Sequence, residues 1–391
     1  MTMDYIKKSL PDSMLLRGGI LLGAGLVILI LTFITDHTRG FFNYLWIFMF
    51  LVSIGVGSLA LVALEYLAGA TWSTPFRRVS ETLASLTPLL VILVIPLLFG
   101  LHDLYHWTHA DAVQSDHVLK HKSPYLNITF FLIRAAVCLG VWTLFFYIIT
   151  RNSEKQDEDG DPKYTRINIK WSTAFAPVFI ISLTISSIDW MMSLEPHWFS
   201  TIFGVYYFSG TVVAAIAATT IASIFLRQGG YLTSRLKDQS FYSLGTLMFG
   251  FNVFWAYIGF SQYLLIWYAD LPEETFWFIH RWEGSWKFVS ISLVFIHFII
   301  PFLILVGRRA KTNINLLKFM APWMLFAHAL DLYWLIFPTL FKGGARFGWQ
   351  ELSFPLIVCG LVLIVFKLRS EKRNLIPVKD PKLEAGLEFH L

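Results

Sequence analysis

The chain has 391 residues, 56% of them hydrophobic and only 15% charged, where an ordinary soluble domain carries roughly 25% charged residues. Such a composition excludes a water-soluble enzyme and points to an all-α polytopic membrane protein. The formal charge is +5, and the two cysteines, Cys138 and Cys359, share no short motif. There is no CxxCH for covalent haem, too few thiolates for an iron-sulfur cluster, and no zinc spacing.

A bilayer-spanning helix needs about 20 apolar residues. Runs of that kind lie near 17–36, 41–68, 82–101, 124–150, 172–193, 199–226, 241–268, 285–307, 315–340 and 350–368, which gives ten spans. The first is too long and too late for a cleaved signal peptide, so it reads as a span. Aromatic residues make up 17% of the chain, as expected of helices with aromatic belts at their ends. Outside the spans, Lys and Arg crowd on the side of the two termini, Lys7 and Lys8 among them. The other side carries only Arg39, Lys120, Lys122, Arg281, Lys287, Lys342 and Arg346. By the positive-inside rule both termini are expected in the cytoplasm, and the +5 reflects topology. Residues 151–170 read as a charged, solvated cytoplasmic linker.

The sequence also looks duplicated. AFAP at 174–177 precedes Asp189 and Pro196, and FMAP at 319–322 precedes Asp331 and Pro338, each aspartate seven residues before its proline and with tryptophan nearby. The expected layout is residues 1–40 as an N-terminal segment with span one, 41–193 as a first four-helix bundle and 194–340 as a second. Residues 341–391 supply span ten and a tail. Spans two to five and six to nine would be the two bundles, with spans one and ten peripheral.

The richest stretch is LTISSIDWMMSLEPHWFSTIFGVYYFSG, residues 183–210. An ionisable side chain at the centre of a membrane helix costs about 2.5 to 3.5 kcal/mol on insertion scales, so Asp189 is a candidate by default. Ser182, Ser186, Asp189 and Ser193 share one helix face, either as a packing seam or as a proton path. Arg134, inside span four, is the natural partner of Asp189, whether as a structural ion pair or as part of that path. Glu65, near the end of span two, either snorkels to the interface or serves as a cytoplasmic proton entrance. His328 and Asp331 lie three apart on one face and suit proton transfer. His297, at mid-depth of span eight, is likewise a packing or proton-path candidate, and its pairing with His328 is the alternative bis-histidine haem site.

Between spans three and four, His102, His106 and His109 follow at i, i+4 and i+7, which predicts one face of a short interfacial helix. Metal binding is possible from such spacing, but an amphipathic docking surface is the preferred reading. Together with Glu195, His197 and Trp198, these residues are candidates for contact with an extracytoplasmic partner.

The run SSIDWMMSLEPHWFSTIFGVYYFSG, the LHDLYHW stretch after span three and the ten-span arrangement resemble the integral subunits of alternative complex III, a bacterial quinol:electron-acceptor oxidoreductase. Those subunits belong to the NrfD or polysulfide-reductase membrane-anchor family. The resemblance covers nearly the whole chain and implies a bacterial inner-membrane location. It implies a non-redox subunit, not catalytic alone, with a quinone-binding-like pocket or a proton path and with no metal or other cofactor of its own. Its implied partners are a multihaem cytochrome c, an iron-sulfur subunit, the paralogous membrane subunit ActC and a terminal oxidase. Haem c and iron-sulfur clusters belong to those partners, and menaquinone or ubiquinone is the substrate of the complex. A proton-coupled secondary transporter and a b-type cytochrome membrane subunit are the alternative readings.

Overall fold

The structure is a computed structural model that describes residues 9–389. Lys7 and Lys8, counted above toward the basic excess, lie outside them. Ten helices are long and apolar enough to cross a membrane. In chain order the spans are Ser13–Thr35, His37–Ala68, Thr74–Phe99, Ile128–Asp159 and Lys163–Leu194, then Phe203–Gln228, Asp238–Ala269, Trp286–Leu305, Ile314–Thr339 and Trp349–Ser370. No strand occurs among the described residues. The chain is an all-α, multi-pass membrane protein.

Backbone hydrogen bonds in hydrocarbon must be satisfied within the segment, which is why the apolar runs are helical. Spans two to five pack as a ring, each against the next and span five back onto span two. Spans six to nine do the same, while spans one and ten pair with each other outside. Spans two and six are buried along most of their length, and the core sits on their contact. Gly57 makes that contact close: a Cβ there would lie 2.9 Å from both Ala215 Cβ and the Thr211 carbonyl.

Three expectations need correction. Residues 151–170 are not a loop. Span four runs on to Asp159 and span five starts at Lys163, joined by a turn on Gly160, whose φ of +75° suits glycine. Polar side chains that would be solvated in a loop zip the two helices together, with Asn152 donating to Asn168 at 3.0 Å and Gln156 to Thr165 at 2.7 Å. Span three begins at Thr74, eight residues earlier than its apolar run, so Arg77, Arg78 and Glu81 lie in a buried helix. It then proceeds in short helical pieces with Pro88 and Pro96 inside them, as expected where prolines remove ladder bonds. Finally, the histidine-rich segment is no single helix. It folds as short turns over Leu101–Leu104, His106–Thr108, Ala110–Ser115 and His117–Lys122.

Candidate functional site: three buried clusters

The spans position ionisable side chains in three places. In the first bundle, Arg134 on span four meets Asp189 on span five. Its Nε donates to Oδ2 at 2.7 Å and an Nη to Oδ1 at 3.0 Å, with both side chains buried. The guanidinium lies 3.8 Å from the Tyr125 ring centroid and 4.4 Å from that of Phe130, and it also donates to the Tyr125 carbonyl at 2.9 Å. Burial pushes the Tyr125 hydroxyl above its ordinary value, outside the span. Ser182, Ser186 and Ser193 are buried on the expected face. Their hydroxyls are partly engaged: Ser182 accepts from Trp142 Nε1 at 2.7 Å and donates to the Val178 carbonyl at 2.6 Å, and Ser193 donates to the Asp189 carbonyl at 2.5 Å.

The second cluster lies in the second bundle where span two packs on it. Asp331 accepts from the Tyr206 hydroxyl at 2.5 Å and from Trp255 Nε1 at 3.1 Å. His328 Nε2 lies 3.0 Å from Ser53 Oγ, which in turn lies 3.1 Å from the Tyr207 hydroxyl. His297 stacks on Trp255, ring centroids 3.7 Å apart and planes 13° from parallel. His297, His328 and Asp331 are wholly buried and offer donor atoms within 4.8 Å of one another. Both aspartates of the duplicated pattern are thus buried on corresponding helices, yet they are held differently. Span four supplies a guanidinium to Asp189, whereas span eight supplies the imidazole of His297 beside Asp331. Among the described residues, Asp331 has no ion pair with Lys or Arg.

The third cluster caps the face of the bundle that carries the termini. Glu65 does not snorkel outward; it is buried and accepts from Arg77 at 3.0 Å and Thr74 at 3.1 Å. Arg77 also pairs with Asp380 of the tail at 2.5 Å, and Arg78 with Glu81 at 2.8 Å and Asp157 at 2.7 Å.

On the opposite face, His102, His106 and His109 are exposed and close despite the broken helix, with the His102 and His109 rings 5.3 Å apart. His197 bonds Asp116 of the same segment at 2.5 Å, and Lys122 donates to the Pro196 carbonyl at 2.6 Å. The histidine-rich segment and the corner after span five therefore touch each other through Asp116 and Lys122, not through His102, His106 or His109. The His197 bond, helped by the Leu119 and Val118 amides, holds the Asp116 carboxyl below its ordinary range. Trp198 is not a surface residue: it is buried, stacked on Trp277 at 4.3 Å. Beside it Arg281 lies 3.4 Å over the Trp277 ring and 3.6 Å from Glu195. Burial lowers the Arg281 pKa to about 10, opposed by Glu195.

Sequence reasoning missed Ser53, Tyr206, Tyr207 and Trp255 around Asp331. Tyr206 and Tyr207 lay inside the 183–210 stretch, but a tyrosine in an aromatic-rich span carries no signal until its partner is known. Arg77, Arg78 and Glu81 were assigned to a loop because a hydropathy run starts only where the charges end. No known protein family profile matches the chain. No curated protein matches it significantly.

Proposed function

We propose that this chain is an integral membrane subunit of a bacterial quinol:electron-acceptor oxidoreductase of the alternative complex III kind, most like its ActF subunit. In this reading it sits in the inner membrane with both termini in the cytoplasm and is not catalytic alone. It contributes a proton path beside partners that carry haem c and iron-sulfur clusters, with quinol as the substrate of the complex. The sequence likeness of residues 183–210 supplies the family. The observation that supports the proton role is Asp331, a membrane-buried carboxylate held by the neutral donors Tyr206 and Trp255 and neighboured by two imidazoles. Intramembrane carboxylates and histidines of this kind mark proton relays.

From there, Ser53, which also bonds Tyr207 of span six, starts a line along span two toward the terminal face. Glu65 lies twelve residues further on, about 18 Å at 1.5 Å per residue. Buried hydroxyls of Ser58 and of the Ser80–Thr219 pair, 3.1 Å apart, stand in between. In this reading Glu65 is the cytoplasmic entrance and Arg77 its counter-ion, while Arg134 and Asp189 form the pair in the first bundle that corresponds to His328 and Asp331 in the second.

Mass spectrometry of what co-purifies in mild detergent tests the assignment. Multihaem cytochrome and iron-sulfur subunits are expected. Recovery of the chain alone, without haem absorbance, overturns it in favour of a secondary transporter. In the intact complex in vesicles, Asp331→Asn is expected to leave electron transfer to an artificial acceptor in place and to abolish coupled proton movement. Unchanged proton coupling in that variant overturns the relay.

A further inference from the structure

The geometry points to a metal site: His297, His328 and Asp331 form a three-ligand centre for a divalent first-row transition metal such as zinc or ferrous iron, buried within the second bundle. All three side chains are fully or almost fully buried, at 0%, 0% and 2% exposure, and their donor atoms lie within 4.8 Å of one another. Both ring nitrogens of His297 and Nδ1 of His328 have no hydrogen-bond partner. Unpaired polar atoms in a membrane interior cost several kcal/mol each, so a free nitrogen on each of two neighbouring imidazoles, beside a carboxylate, calls for an occupant.

The surroundings orient His328 and Asp331 as metal sites orient their ligands, while His297 is held by stacking alone. A metal-bound histidine ordinarily gives its other N–H to an oxygen. His328 Nε2 is 3.0 Å from Ser53 Oγ, which leaves Nδ1 as the lone-pair nitrogen. Asp331 is fixed by Tyr206 and Trp255, and Trp255 also covers the His297 ring. His297 sits in a π-helical stretch, Val294–Ile299, a distortion that often re-aims a residue at a functional site. Gly210 lets the His328 ring pack in this position: a Cβ there would lie 2.7 Å from His328 Nδ1 and 3.7 Å from Asp331 Oδ2, so any side chain would push the donor aside. Bonds of about 2.0–2.2 Å to nitrogen and oxygen require the donors to draw together by side-chain rotation.

Two neutral imidazoles and one carboxylate suit zinc or iron rather than calcium or magnesium, which take all-oxygen shells. One carboxylate neutralises half of a dication. Water in an open position, made strongly acidic by the metal, supplies the rest by releasing one proton to become hydroxide, so loading releases a proton. The site uses the same Asp331, His328 and His297 as the proposed proton path, and the two readings fail separately, because metal content is read on the isolated chain and proton movement on the complex.

The test is cobalt titration of the purified, chelator-treated full-length protein in detergent. One cobalt per chain is expected, with visible ligand-field bands, loss of tryptophan fluorescence and displacement by zinc. His328→Ala and Gly210→Ala are expected to reduce binding to background, the second without removing a ligand. The variant with His102, His106 and His109 all changed to Asn is expected to keep it, which separates this site from the exposed histidines. Wild-type protein that is monodisperse and binds no cobalt overturns the proposal, whatever the variants do. So does cobalt binding that disappears with the exposed histidines.

Discussion

Arg134 and Asp189, 55 residues apart in sequence, meet through two parallel hydrogen bonds of 2.7 and 3.0 Å inside the first bundle. Removing one partner of a buried pair leaves an uncompensated charge and costs about 3–5 kcal/mol, whereas replacing both with well-packed apolar groups is often neutral. Asp189→Asn is therefore expected to destabilise the protein by about 3 kcal/mol or more, and Arg134→Met with Asp189→Leu to recover most of the loss. Unfolding in mixed micelles for Arg134→Met, Asp189→Leu and the double variant measures the coupling. Additive losses would show that the pair does not act as a unit.

At the opposite face, Asp116 holds the histidine-rich segment to the corner after span five. Its pKa is lowered in the folded protein, chiefly by the bond to His197. A carboxyl lowered on folding contributes stability above its unfolded value, about 3.9, and that contribution is lost as pH falls through the lower folded value. Amide exchange in residues 110–122 is expected to be constant from neutral pH to about pH 5, after correction for the intrinsic rate, and to rise below about pH 4. Asp116→Asn should show the raised exchange at every pH. A wild-type profile that matches that variant at neutral pH would remove the anchor.

How far the sequence foretold this depends on whether one residue or a pair carries the information. Ten spans follow from apolar runs because the bilayer reads hydrophobicity residue by residue. The pairing of Arg134 with Asp189 followed from the cost of each charge alone. The engagement of Glu65 with Arg77 did not, because the charges at the start of span three are shielded not only by the neighbouring span two but also by the tail, 303 residues away in sequence. Trp198 misled for the same reason: its partner Trp277 lies on the helix Pro272–His280, and an aromatic residue in a loop looks exposed until that partner is placed.

That stacking gives a further expectation. Trp198 is 1% exposed and donates through Nε1 to the Glu274 carbonyl at 3.1 Å. Trp198→Ala should cost about 3–5 kcal/mol through the cavity left behind, while His197→Ala beside it leaves the core intact. If thermal unfolding gives equal losses for both, the corner is held by its surface contacts rather than by the stack.

The orientation is open to a direct check. Reporter fusions at the Gly160–Pro162 turn and after Phe389 are expected to read cytoplasmic, given the excess of Lys and Arg on the side of the termini. An extracytoplasmic signal at either would reverse the topology and place Glu65 at the proton exit instead of the entrance.

The tail makes the last prediction. Asp380 is 5% exposed and pairs with Arg77 at 2.5 Å, and Arg77 at the same time holds Glu65 at 3.0 Å. Arg373, also buried, approaches Glu154 and lies 4.0 Å from Glu81. The tail thus carries one charge of each sign into a cluster built on the start of span three. Asp380→Asn removes one of the anions around Arg77 but leaves Glu65 and Glu81 in place, so a loss on the order of 1–3 kcal/mol is expected, as for a charge-assisted hydrogen bond. Arg77→Met strands Glu65 and Asp380, while Glu81 keeps Arg78, and is expected to cost about 3–5 kcal/mol. Because Arg77 is the shared partner, the Asp380→Asn loss should vanish in the Arg77→Met background, a coupling that a double-mutant cycle resolves. A full, additive Asp380→Asn loss in that background would show that the tail is held by something other than Arg77.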